Sequence, residues 1–233
     1  MKKQPQPPYG VPEKYWDSLS EKARSMYGIV RPMPTAAYTV DWPLSFVESA
    51  LANLKEQMAE AGGSFELDPD FQRGHVWTEA QRIAYVEALI RKTTNGRILF
   101  NCPGWSFSCA GVQGDIKANT MQIVDGLQRL TAVRRFMAGE FKVFASEDFD
   151  GLGVDDLRGT PFDVNRNSYY LQIAVYEFPT REELLAFYLR LNCGGSVHSP
   201  QEIERVKLLL AQARGQGLLQ GPGCSALRAP AGH

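Results

Sequence analysis

The chain has 233 residues, 44% of them apolar, with 25 Lys and Arg against 26 Asp and Glu for a net charge of −1. That length suits one domain with appendages, and the apolar share is enough for a core. A charge so near zero excludes a global field that draws the protein onto nucleic acid or an anionic membrane, and leaves room only for a local basic patch where Arg129, Arg134 and Arg135 cluster.

Residues 1–12 are Pro-rich and read as a disordered tail. Tyr15, Leu19, Ala23 and Met26 then form a short amphipathic pattern, one helix or two. A Pro-punctuated connector over 31–35 leads to a short strand at 38–40. From Pro43 a longer helix is predicted, with Leu44, Val47, Leu51, Leu54 and Met58 on one stripe and Gly62-Gly63 closing it. Residues 65–67 read as a strand. Thr78 and Gln81 make a capping box, opening a helix to about Lys92 with Ile83, Val86, Leu89 and Ile90 inward. A strand follows at 97–101, and then a Gly-, Ser- and Asn-rich loop over 103–119, a length that is uncommon without a functional reason.

The next unit is the most informative. Residues 121–124 are an apolar strand, Asp125-Gly126 turns sharply, and Leu127, Leu130, Val133 and Phe136 recur at helical spacing to about Gly139. Residues 140–145 alternate like a half-buried strand, and 146–167 form an acidic, Gly-punctuated loop with a brief helix at 154–157. Residues 169–178 are the strongest strand by β-branched and aromatic content. Thr180 and Glu183 cap a helix to Leu191, and after a Gly-rich loop Ser199, Pro200 and Glu202 start the last helix, which fades by Arg214. Residues 215–233 are Gly-, Ala- and Pro-rich and read as a disordered tail. Strands and helices mix without a strict βαβ rhythm, so the pattern predicts an α+β domain over 13–214 with a mixed sheet and a helical extension from about 180.

Three motifs carry candidate chemistry. A helix that starts at Gly126 points unpaired N–H groups at whatever lies beyond the strand's end, an arrangement that favours an anion. Arg129 in its first turn reaches the same ligand with a bidentate fork, and Asp125 can hold a metal or the first amides. An ordinary turn with a capping Asp and a solvated Arg is the plain alternative. In Phe71-Gln72-Arg73, Gln72 offers donor and acceptor and Arg73 five donors, for a nucleotide's edge and phosphates, while Phe71 and Trp77 read as core. In Asn192-Cys193-Gly194-Gly195 the glycines let backbone amides approach a ligand, and Ser199 sits at a second helix start. Cys193 reads as a packed thiol and His198 as a possible proton shuttle.

Asp125-Gly126-Leu127-Gln128-Arg129 resembles the D-G-Q-Q-R signature of GmrS-type proteins, the N-terminal-domain family of GmrSD restriction enzymes in the ParB/sulfiredoxin-like superfamily. Pro69-Asp70-Phe71-Gln72-Arg73-Gly74-His75-Val76-Trp77 is similar to the family's P-x-F-Q-R-x-x-x-W, and residues 192–199 to its N-x-x-G-x-x-L-S. Leu127 departs from the first Gln of the signature, and His198 from Leu. The resemblance implies a ParB/sulfiredoxin-like mixed sheet with surrounding helices. It also implies an NTP with Mg²⁺ as ligand, bound by Gln72, Arg73, Asp125, Gly126, Gln128, Arg129, Asn192, Gly195 and Ser199, with Asp125, Arg129 and Arg73 in catalytic roles. An NTP-hydrolysing domain gating a DNA nuclease is the first implied activity. A phage-type transferase placing an amino acid on a phosphorylated hydroxymethyl base of DNA is the second, and a non-enzymatic ParB-like DNA-binding protein the third. The expected partners are a nucleotide and DNA, met directly or through a nuclease or modification enzyme.

Other chemistries are disfavoured. The chain has no G-x-x-x-x-G-K-[ST] and three histidines, too few for an easy zinc finger or HNH nuclease. Its cysteines, at 102, 109, 193 and 224, form no C-x-x-C pair and read as free thiols of a reducing cytoplasm. No apolar run approaches a membrane span, and the basic N-terminus lacks the apolar core of a signal peptide.

Overall fold

The computed structural model describes residues 7–8, 10–30, 32–72, 77–94, 96–106, 114–166, 168–192 and 200–219. Arg73, His75, Cys193, Gly195, His198 and Ser199 lie outside the described residues.

A five-stranded mixed sheet is built from β1 (Tyr38–Pro43), β2 (Ser64–Glu66), β3 (Arg97–Asn101), β4 (Thr120–Asp125) and β5 (Tyr170–Tyr176), in the order β1-β5-β3-β4-β2. β1 pairs antiparallel with β5, β5 parallel with β3, β3 antiparallel with β4, and β4 parallel with β2. The central strands read as near-continuous apolar runs because both faces are covered. Ile98, Phe100, Met121, Ile123, Leu171, Ile173 and Val175 point to one face. There they meet α3 (Val47–Glu60), α4 (Glu79–Ile90) and α5 (Leu127–Met137). Leu99, Val124, Ala174 and Tyr176 point to the other, against α7 (Arg181–Asn192) and α8 (Pro200–Leu219). The fold is thus α+β, with helices on both faces of the sheet.

Local chemistry explains most boundaries. The N-terminal pattern resolves into two helices, α1 (Glu13–Ser18) and α2 (Glu21–Val30). All five residues of the predicted stripe from Leu44 to Met58 are buried, but the first turn is 3-10 (Leu44–Phe46) and Pro43 ends β1 instead of lying inside the helix. The Thr78–Gln81 box forms as predicted: Gln81 N donates to Thr78 Oγ1 at 3.3 Å and Thr78 N to Gln81 Oε1 at 2.9 Å. The short helix α6 (Val154–Leu157) also falls where it was placed.

Two expectations are corrected. Residues 140–145 form no named strand; Val143 and Leu152 make one isolated bridge and Ser146 and Phe149 another. Phe144 takes a positive φ of 60°, which breaks the extended run that alternation suggested. At the other end of the chain α8 continues past Arg214 to Leu219, carrying Gly215 with it, so part of the expected tail is helix.

Candidate functional site

β4 runs opposite to its neighbour β3, so its C-terminal residue Asp125 lies towards the N-terminal half of β3, with Leu99 as its partner. The chain then reverses through Gly126 at φ 95°, a left-handed conformation that L side chains rarely adopt. The turn also packs tightly: a Cβ here would lie 2.7 Å from Ile98 Cδ1 and 3.1 Å from the Arg97 carbonyl. Both facts require glycine. α5 begins at once, with no side chain capping its first amides.

Arg129, in the first turn of α5, folds back to form a hydrogen-bonded ion pair with Asp125 four residues earlier. Both side chains keep partial access to solvent, 26% for Arg129 and 40% for Asp125, so an incoming anion can reach the guanidinium. Gln128 extends sideways and accepts a hydrogen bond from Trp77 N at 3.2 Å. Leu127, at the position of the signature's first Gln, is buried in the larger core cluster and points away from the turn's open side.

The Phe71-Gln72 motif reaches this unit from the opposite face. β2 accompanies β4 only over residues 120–122, leaving the last part of that β4 edge without a strand. Gln72 covers it, its Nε2 donating to Val124 O at 2.5 Å and to Ile123 O at 3.3 Å. The amide predicted to read a nucleotide is therefore committed to the strand, and only its Oε1 is left for a ligand. Phe71 is fully buried, edge-on to Tyr188 of α7 at 5.4 Å. Gln72, on the last part of β4, and Trp77, on Gln128 of α5, are thus both held against the β4–α5 unit.

α7 and α8 hold the same turn from outside. Arg205 of α8 donates to three successive carbonyls: Asp70 O at 2.6 Å, Phe71 O at 3.3 Å and Gln72 O at 3.0 Å. Arg181 pairs with the Asp70 carboxylate, and its backbone N donates to Asp115 Oδ1 at 2.7 Å. Sequence reading missed both arginines because their partners are more than sixty residues away and no local pattern marks them. Asn192 stays with its own helix, donating from Nδ2 to Tyr188 O at 2.8 Å, so the described contacts do not bring it to the Asp125 turn.

The wall of the site on the other side is α4. Tyr85 lies 5.5 Å from the Trp77 ring and is only 9% exposed; among the described residues its hydroxyl has no hydrogen-bond partner, and neither has Arg82 Nε, buried one turn earlier on α4. Burial pushes the Tyr85 hydroxyl up to about 12, against the pull of the nearby Arg129 charge. It stays protonated at any ordinary pH and is a donor in need of an acceptor. A buried polar group left unpaired costs about 1–3 kcal/mol, so two in adjacent turns call for an explanation.

The predicted basic patch does not survive as free charge. Arg134 bonds Glu48, with Nη2 to Oε2 at 3.0 Å, and Arg135 pairs with Glu140. The Glu48 hydrogen bond holds the Arg134 guanidinium above its usual range. Among the described residues no three His, Cys, Asp or Glu side chains gather to hold a metal. Among the described residues no helix is long and apolar enough to cross a membrane.

Neither the curated proteins nor the solved structures contain a match to the chain. Residues 51–186 match the family described as the GmrSD restriction endonuclease, N-terminal domain, a span that includes both the Pro69–Trp77 and Asp125–Arg129 motifs. That is more than half of the 233 residues, and the chain belongs to this family.

Proposed function

We propose that this domain binds a nucleoside triphosphate at the Asp125–Arg129 turn and hydrolyses it in the service of a DNA-directed restriction or defence system. The observation that carries the reading is the turn itself: a tight glycine reversal, an uncapped helix start and an arginine in its first turn, inside the family-matched span. Backbone amides and a guanidinium at one point suit phosphoryl oxygens, whose negative charge they stabilise without rearranging. Asp125 has two roles in this reading. In the free protein it holds Arg129 in place; with nucleotide bound it faces the phosphates and their Mg²⁺. The DNA-directed part follows from the family, since a chain of net charge −1 offers little phosphate neutralisation of its own.

Thermal unfolding with ATP, GTP, CTP and UTP, each with Mg²⁺, tests this against Arg129→Ala. At a hundred times Kd a ligand stabilises by about 2.7 kcal/mol, a clear shift in Tm. Wild type is expected to shift with at least one triphosphate and Arg129→Ala with none. The variant's own Tm is expected to stay near that of wild type, because a partly exposed ion pair is worth about 0–1 kcal/mol. No shift with any triphosphate in wild type removes the reading, and DNA carrying phosphorylated bases becomes the next ligand to try.

A further inference from the structure

We propose that Tyr85 and Arg82 of α4 are direct ligands of the bound phosphates, donating from the phenolic hydroxyl and the guanidinium Nε to phosphoryl oxygens. The proposal rests on the nucleotide reading of the Asp125–Arg129 turn and extends it to a second wall.

The two side chains sit three residues apart on one face of α4, which packs beside α5 over the same face of the sheet. Tyr85 borders Trp77, whose backbone N bonds Gln128, so direct contacts join α4, Trp77 and the first turn of α5. Its hydroxyl lies close enough to Arg129 for that charge to act on it. Both orphan atoms are donors, since a protonated phenol and a guanidinium N–H have hydrogens to give. An apolar ligand leaves both unsatisfied, and a cation is repelled by Arg82 and Arg129. An anion rich in acceptor oxygens satisfies all three. The core has no need of the hydroxyl: Tyr85 packs within the larger apolar cluster, where phenylalanine has the same shape.

This last point makes the test decisive. Isothermal titration with ATP, GTP and inorganic tripolyphosphate, each with Mg²⁺, is paired with urea unfolding of the unliganded protein. The proteins are wild type, Tyr85→Phe and Arg82→Lys, the last keeping the charge but removing Nε. The expected result is an affinity about tenfold or more weaker in each variant, with Tyr85→Phe as stable as wild type or more so when unliganded. A residue with a merely structural role moves both readouts down together. Three results overturn the proposal. In one, wild type binds a probe and both variants bind it equally well, which leaves the nucleotide reading intact. In another, Tyr85→Phe loses stability in step with affinity. If wild type itself binds none of the probes, the nucleotide reading fails first, visibly, and this proposal fails with it.

Discussion

Gly126 and Leu127 show how adjacent residues of one motif answer to different masters. Gly126 is fixed by the backbone, with φ 95° and Ile98 Cδ1 standing 2.7 Å from where a Cβ would be. Gly126→Ala is expected to cost about 2 kcal/mol or more, combining left-handed strain with a forced shift of Ile98, as read from the urea midpoint. Leu127 is fixed by the core, 5% exposed, so its departure from the family's Gln changes packing and leaves the open side of the turn as it was. The helix start and Arg129 are legible in the sequence because each acts through neighbours four residues away or fewer, and Gly126 through the turn it makes; its close contact with Ile98, 28 residues earlier, is not. Gln72 was legible as important, but its job was not: bonding Val124 O depends on β2 stopping short, which no pattern near Gln72 records. Tyr85 was harder still, since an aromatic on a core-facing helix stripe looks like packing until its hydroxyl is found without a partner.

Among elements, α8 carries a role its amphipathic pattern does not advertise. One guanidinium from this helix gathers three carbonyls of the Asp70–Gln72 turn and so fixes the segment that leads to Arg73. Removing it leaves those carbonyls to water and the turn untied. Arg205→Ala is expected to lower stability by about 1–3 kcal/mol and to weaken triphosphate binding as well. Arg205→Lys should recover little of either, because a single ammonium does not reproduce a planar fork spanning three acceptors. Urea unfolding and titration on the two variants decide it: full recovery by lysine means that charge, and not geometry, is what the turn needs. Elements with strong local punctuation were read correctly from sequence, as at the Thr78 box and at α6. Residues 140–145 were misread because period-two alternation says nothing of φ at Phe144, which tertiary contacts set.

Across the whole molecule an α+β domain with a mixed sheet is legible from periodicity, and surrounding helices from the family resemblance; that the helices form a layer on each face, and which face each motif sits on, is not. That depends on strand order, and β4 lies between β3, to which it is antiparallel, and β2, to which it is parallel and which is more than fifty residues earlier in the chain. Burial also gives the molecule a pH signature. Cys102 is free and fully buried, and burial, with Glu177 nearby, pushes its thiol from 9.0 up to about 12. Burial raises Tyr85 from 10.0 to about 12. Between these values the unfolded chain has released protons that the folded chain still holds, so stability falls as pH rises through that window. Each group contributes a slope of about 1.4 kcal/mol per pH unit there and nothing near neutrality. Urea unfolding from pH 7 to 10.5 should show a plateau and then a decline beginning near pH 9. Cys102→Ala should flatten the first part of the decline, and an unchanged slope would mean that other groups set it.

The reach of Arg205 back to Asp70 has a consequence in time. Translation is vectorial, and the clamp joins positions 133 to 135 residues apart, so its donor leaves the ribosome only after every strand of the sheet has been made. A nascent chain can pair β1 through β5 and still lack the contact that steadies its Asp70–Gln72 turn. Order at that turn is in this sense a proofreading mark, acquired late, that separates a domain with α8 in place from one cut short before it.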